Sequence, residues 1–201
     1  MNTDHTASLS IVRAQLIDHA ETIARLHELA PFISDLAQKI ITCLEAGGKV
    51  LFFGNGGSAA DAQHLAAELV VRYRLNRKAL PAIALTTDTS ILTACGNDFG
   101  FETIYARQIE ALANQGDVAI GISTSGNSPN VIAALSAAKT KGCLTVAFTG
   151  ENANKCSGLA DLTFQAPSSV TARIQECHLL VGHIISELIE SAIIELDAST
   201  D

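Results

Sequence analysis

Apolar residues recur at three- and four-residue spacing in the first part of the chain. Ile33, Leu36, Ile40 and Leu44 form one stripe, and no strand pattern appears across residues 9–46. Such spacing predicts amphipathic helix. Pro31 is expected to divide the stretch in two, because proline opens a helix more readily than it continues one. Gly47-Gly48 then closes the second helix, since glycine tolerates the left-handed backbone of a C-terminal cap.

Beyond that point the pattern alternates. Short β-rich apolar runs at 50–53, 82–85, 118–122, 144–148 and 162–164 are separated by helix-like segments. Strands interleaved with helices predict parallel crossovers, hence a doubly wound α/β sheet covered on both faces. Ligands of such sheets sit beyond the carboxyl ends of the strands. The last segment, 172–196, is helical in length. It carries Ile174, Leu179, Leu180, Val181, Ile184, Ile185, Leu188, Ile189, Ile193 and Ile194 on more than one face. A helix apolar nearly all round must be buried on most sides. That predicts a homo-oligomer packed through this helix and the N-terminal pair.

Length and composition narrow the class. A chain of 201 residues, 48% hydrophobic and 17% charged, can bury a full core as one domain. Residues 1–46 are read as N-terminal helices used in oligomerisation, and 47–201 as the α/β core with its C-terminal helix. The net charge of -8 gives no electrostatic reason to expect a nucleic-acid groove, so an anionic ligand has to be held by a dedicated loop. Cys43, Cys95, Cys143, Cys156 and Cys177 contain no CxxC pair and read as buried thiols in a reducing compartment. No secretory leader and no run of about 18 apolar residues is visible, so the cytoplasm is the expected location, without membrane partners.

Two loops carry the candidate chemistry. Gly54-Asn55-Gly56-Gly57-Ser58 follows the first strand and opens a helix expected to begin near Ala59. Its glycines let the backbone approach a ligand, and free N–H groups at the helix start point toward it. It has neither the Gly-Lys-Ser/Thr ending of a Walker loop nor GxGxxG spacing. Ser123-Thr124-Ser125-Gly126-Asn127-Ser128-Pro129 follows the third strand, with Pro129 suited to a first helical position. It gathers four hydroxyls at the positive end of a helix, which suits a phosphate monoester. The plain alternative is a Ser-rich turn with Ser128 as an N-cap.

His64 and Glu68 lie four apart on the helix leaving the glycine loop, so they share a face. Such a pair is often only a surface pair, but this one stands within two turns of the loop. Gln175 and His183 can share a face of the last helix. Gly182 beside them costs on the order of 1 kcal/mol of helix propensity, which a close approach by another chain or a ligand would explain. His178 reads as structural. Asn97-Asp98, read as the end of a strand-to-helix connection, is a candidate sugar-hydroxyl contact.

With these residues in place the chain resembles the SIS (sugar isomerase) family, in its phosphoheptose isomerase branch. The stretches that carry the resemblance are GNGGSAADAQHLAAEL (54–69), PAIALTTDTS (81–90), GNDFGF (96–101), GDVAIGISTSGNSPN (116–130) and ARIQECHLLVGH (172–183). The resemblance implies a flavodoxin-like five-stranded sheet, a homotetramer with active sites at subunit interfaces, and conversion of sedoheptulose 7-phosphate to D-glycero-D-manno-heptose 7-phosphate. That reaction is the first step toward ADP-heptose for cell-surface glycans. Carried over by position, Asn55, Gly56, Gly57 and Ser58 become substrate-loop residues, Asn97 and Asp98 sugar contacts, and Ser123, Thr124, Ser125 and Ser128 the phosphate site. His64, Glu68, Gln175 and His183 become the quartet that holds one zinc ion, with His64, Glu68 and Gln175 also meeting substrate. Where some branches have an acidic residue just before the arginine of RIQE, this chain has Ala172.

Moving a carbonyl from C2 to C1 needs a base for the carbon-bound proton and an acid for the oxygens. Glu68 and His183 are assigned those tasks, through a cis-enediol. Two alternatives stand beside this reading. One is a non-catalytic SIS binding protein of the type that associates with the replication initiator DnaA, whose pattern lacks the Glu68 and His183 equivalents. The other is an isomerase of a different phosphosugar.

Overall fold

The computed structural model describes residues 2–200. A five-stranded parallel sheet runs in the order β2-β1-β3-β4-β5, with β1 Val50–Gly54, β2 Ala82–Ala84, β3 Val118–Ile122, β4 Leu144–Gly150 and β5 Leu162–Ala166. The register pairs Val50 with Ala82 on one side and with Val118 on the other. All five expected strands are present, with ends shifted by one or two residues. Every residue of β1 and β3 is buried, as expected for strands covered on both faces.

The helices are α1 Asn2–Ala24, α2 Ala30–Glu45, α3 Gly57–Val70, α4 Thr89–Phe99, α5 Ala106–Leu112, α6 Pro129–Thr140, α7 Lys155–Leu159 and α8 Thr171–Thr200. Two expectations shift here. The N-terminal helix begins at Asn2 instead of near Leu9, and the break falls in a 3-10 turn at Arg25–Leu29. Pro31 stands just behind that turn at the head of α2, where its missing N–H goes unmissed. Gly47 follows the C-cap Ala46 with φ +81°, the left-handed stop expected for it.

Alternation along the strands divides the core into two layers. Val50, Phe52, Ile120 and Phe148 point toward α2, α3 and α8, where they meet Leu36, Ile40, Leu65, Val181 and Ile185. Leu51, Phe53, Ala119 and Ala147 point the other way, toward Ile104, Ile109, Val131 and Leu135. The apolar character of α8 thus finds much of its cover inside this chain, since Ile174, Cys177, Val181, Ile185, Ile189 and Ile193 are all buried against the first layer. The five cysteines are free and buried. Strand order reverses between β1 and β3, so the loops beyond their carboxyl ends flank the crevice where sheets of this kind take ligands.

Candidate active site

The glycine loop turns on Gly56, whose φ of +57° and ψ of -121° a side chain would strain. This lets α3 begin at Gly57, two residues earlier than expected, with Ser58 N–H donating to the Asn55 carbonyl at 3.0 Å. A Cβ on Gly57 would overlap the Gln175 amide, so the start of α3 and the start of α8 touch through this glycine. Ser58 is buried beneath the loop, its Cβ lying where a side chain on Gly54 would intrude. The Asn55 side chain is engaged inside the protein. It exchanges a reciprocal pair of 2.8 Å hydrogen bonds with the buried Asn130 amide, and the Tyr105 hydroxyl donates to its oxygen at 3.3 Å. These bonds tie the glycine loop to the first turn of α6, fixing the two candidate loops relative to each other. The same hydroxyl donates to the Gly54 carbonyl, and burial pushes the Tyr105 pKa up to about 12.

The serine loop pairs two of its hydroxyls with each other and leaves Ser125 exposed. Ser128 occupies the N-cap position of α6, yet its side chain makes no cap bond. Instead its hydroxyl meets that of Ser123 at 3.0 Å. The plain N-cap reading of Ser128 therefore gives way. Asn127 folds back on Ser125, its N–H donating to the Ser125 hydroxyl at 3.2 Å and its amide to the Ser125 carbonyl at 2.8 Å. Thr124, Ser125 and Asn127 line one wall of a cavity completed by Gly150, Asn152, Ser169, Thr171 and Ile174. Asn152, Ser169 and Thr171 are polar residues of that cavity the sequence reading missed. Their loops follow β4 and β5, so the position of those strand ends was the available signal.

His64, Glu68 and His183 meet. His64 Nε2 lies 2.9 Å from His183 Nε2 and 3.2 Å from Glu68 Oε1, and one ligand atom from each residue falls within 4.8 Å of the others. The rings of His64 and His183 stand edge-on at 5.1 Å. Glu68 is largely covered, with its side chain 17% exposed, whereas His64 is 47% exposed. The neighbouring helices can approach because Gly182 lacks a side chain: a Cβ there would overlap Leu65 of α3. The close neighbour that Gly182 requires is thus this chain's own helix, correcting the expectation of another chain or a ligand.

This donor set fits a zinc ion. Two ligand nitrogens each about 2.0–2.1 Å from a tetrahedral ion stand about 3.3 Å apart, close to the 2.9 Å between His64 and His183 and the 3.2 Å between His64 and Glu68. Asp61, three residues before His64, went unnoticed in the sequence. Its Oδ2 is buried without a hydrogen-bond partner, and burial raises its pKa against the opposing effect of His64.

His178 lies wholly buried among the rings of Phe148 and Phe164, with Nε2 3.1 Å from the Thr149 carbonyl. Burial pulls its pKa down to about 4, so it is neutral, and its Nε2–H donates to that carbonyl. Asn97 and Asp98 need a correction of place. They sit in the last turn of α4, exposed, with the Asn97 amide donating to Asp98 at 2.8 Å. The connection after β2 ends instead at Asp88, which caps α4 by accepting from Ile91 N–H at 2.9 Å. The described contacts do not join Asn97 or Asp98 to either loop.

Comparison with known proteins fits this geometry. The profile described as SIS domain matches residues 17–150. The chain is 59% identical over 179 residues to a phosphoheptose isomerase of Paramagnetospirillum magneticum, covering 88% of this chain and 93% of that one. It is 61% identical over 163 residues to that of Aquifex aeolicus, covering 81% and 85%. Among solved structures, a phosphoheptose isomerase from Neisseria gonorrhoeae superposes with TM-score 0.87 at 41% identity, over 91% of this chain and 98% of that one. One from Francisella tularensis gives 0.89 at 34%, over 92% and 98%.

Proposed function

Because the chain belongs to the SIS-domain family of phosphoheptose isomerases, we propose that it converts sedoheptulose 7-phosphate to D-glycero-D-manno-heptose 7-phosphate. The observation that carries the reading is the meeting of Glu68 from α3 with His183 from α8. Glu68 takes the proton from C1 and returns it to C2. His183 protonates the C2 oxygen as the enediol forms, and a proton leaves the C1 oxygen as that carbon becomes the aldehyde. The net change is one proton moved between carbons and one between oxygens. Ser123, Thr124, Ser125 and Ser128 hold the phosphate, with help from Thr171 and the α6 start. Binding energy at that remote end keeps the reacting carbons beside Glu68. Asn55, Gly56, Gly57 and Ser58 shape the wall opposite, and Asn97 and Asp98 meet sugar hydroxyls.

His64, Glu68 and His183 would hold one zinc ion in the resting site, with Gln175, whose amide lies against Gly57, turning to it as a fourth ligand; Glu68 would release the ion before acting as base. When bound, the ion supplies Lewis-acid polarisation of the sugar oxygens. The chain works as one domain in the cytoplasm, where the product feeds ADP-heptose for lipopolysaccharide. In support, no described helix is long and apolar enough to cross a membrane. It assembles as a homotetramer with active sites at subunit interfaces. Ile11, Val12, Leu16 and Ile17 are exposed along α1, and a groove lined by Ile23, Leu26, Ile33, Leu180, Ile184 and Leu188 is open beside it, which supports that assembly. A non-catalytic binding role is disfavoured, since it has no use for the paired carboxylate and imidazole.

The test is NMR of the pure protein with five-, six- and seven-carbon ketose phosphates. Conversion of the seven-carbon compound alone is expected. Equal turnover of the shorter sugars would overturn the substrate assignment, and no turnover of any would overturn the isomerase reading.

A further inference from the structure

Behind the site lies a buried acid-base pair that the reaction does not touch. Glu190 stands two turns beyond His183 on α8 and is 2% exposed. Its carboxylate accepts three successive backbone N–H groups, from Tyr73 at 3.0 Å, Arg74 at 2.8 Å and Leu75 at 2.7 Å. Successive N–H groups converging on one anion form a nest, and these bonds hold the Glu190 pKa below its usual range against the opposing effect of burial.

The Arg77 side chain, 1% exposed, places Nε 3.3 Å from the same carboxylate. The far end of its guanidinium returns to α3. Nη2 donates to the Glu68 carbonyl at 2.8 Å, and Nη1 donates to the Leu69 carbonyl at 2.9 Å and to that of Lys78 at 2.8 Å. The backbone of the residue that carries the candidate base is therefore linked, through the Arg77–Glu190 ion pair, to the helix that carries His183.

The segment wound around this pair has one further contact. The Tyr73 ring packs on the His183 ring, with centroids 5.6 Å apart and planes 34° apart. His183 is thus flanked by Tyr73 and His64. A buried ion pair gives little net stability, because desolvation offsets most of the attraction, whereas its geometric demands are strict. The physical return here is orientation: the Glu190 nest fixes the backbone of Tyr73, and Tyr73 limits the swing of the imidazole.

We propose that Tyr73, Arg77 and Glu190 are positioning residues for the isomerisation, holding the His183 ring and the Glu68 backbone in register without touching substrate. The proposal rests on the roles given above to Glu68 and His183, and its test separates the two. Tyr73→Ala is expected to lower kcat about tenfold to hundredfold, the cost typical of losing a partner that orients an active group. KM is expected to stay within about twofold, and Tyr73→Phe, which keeps the ring, restores kcat. In Glu190→Gln, hydrogen exchange at the amides of Tyr73, Arg74 and Leu75 is expected to speed up by at least about tenfold, because one acceptor of the nest is lost.

A Tyr73→Ala variant with unchanged kcat would overturn the proposal. So would one in which KM rises alone, since that would put Tyr73 on the substrate, and so would a Tyr73→Phe variant as impaired as the alanine. Unchanged exchange in Glu190→Gln would remove the tether. The exchange readout needs no substrate, so an inactive wild-type protein would strike the functional reading while the tether is still judged.

Discussion

His64 and Glu68 owe their pairing to one turn of helix, but their meeting with His183 depends on a contact 119 residues away in the chain. Zinc retention reads that meeting directly. Elemental analysis of freshly purified protein is expected to find about one zinc per chain, and His64→Ala to lose most of it. Equal zinc in both proteins would remove His64 from the ligand set. His178 gives a second prediction. Its folded pKa of about 4 lies below the unfolded value of about 6.5, so the unfolded chain takes up the proton first as the pH falls. Its contribution is therefore present above pH 6.5 and is lost down to about pH 4, by up to about 3 kcal/mol. Urea unfolding at pH 7 and pH 4.5 should show a larger drop for wild type than for His178→Gln, and parallel drops would refute it. Asp161 acts in a lower window: hydrogen bonds from Lys139 and Thr145 outweigh its burial and depress its pKa to about 2, so its share is present above the ordinary value of 3.8 and is lost as the pH falls from there to about 2.

The difference between His178 and His183 was legible only through the family resemblance, because His183 lies in an apolar stretch and by itself reads as a core histidine. Arg77 and Glu190 were not. Glu190 binds backbone amides more than a hundred positions away, and a backbone amide leaves no mark in a sequence. Asp61 was passed over for the related reason that an unpartnered carboxylate looks like any other helical aspartate.

Among the elements, α3 and α8 matter most, and their closeness depends on two glycines. Gly182→Ala offers a test, since alanine is the better helix former by about 1 kcal/mol. Its Cβ would nevertheless meet Leu65, so the variant is expected to lose about 1–3 kcal/mol of stability in urea unfolding. Turnover should fall as well, because His183 moves away from Glu68. A stabilised and fully active variant would show that the approach at Gly182 is not needed.

The strands, their parallel order and both loops were legible, because β-rich runs and glycine or serine turns are local signals. The places that misled were those where a local signal had two outlets. Asn97-Asp98 looked like a turn, but Asp88 ten positions earlier takes the capping role, and α4 runs on through both residues. The apolar residues all round α8 likewise have two outlets, since the chain's own α2, α3 and sheet cover much of that surface while Leu180, Ile184 and Leu188 line an open groove.

At the scale of the whole molecule, the outer side of α1 stays uncovered, with Ile11 65% and Leu16 64% exposed. Replacing Leu16 and Ile17 together by glutamate is expected to reduce the assembly to smaller species in light scattering, with loss of turnover if subunits complete each other's sites. An unchanged mass would remove α1 from the interface. The fold places the serine loop beyond the carboxyl end of β3 and sets Glu68 and His183 on two helices of one face, so the proposed reaction depends on whether Glu68 moves the carbon-bound proton. Proton NMR of sedoheptulose 7-phosphate in deuterium oxide, with wild type beside Glu68→Gln, tests this most directly. Wild type is expected to form the aldose, with deuterium at C2 wherever the proton held on Glu68 exchanges with solvent before its return, and Glu68→Gln to form it at least about a hundredfold more slowly. Near-normal conversion by Glu68→Gln would contradict it.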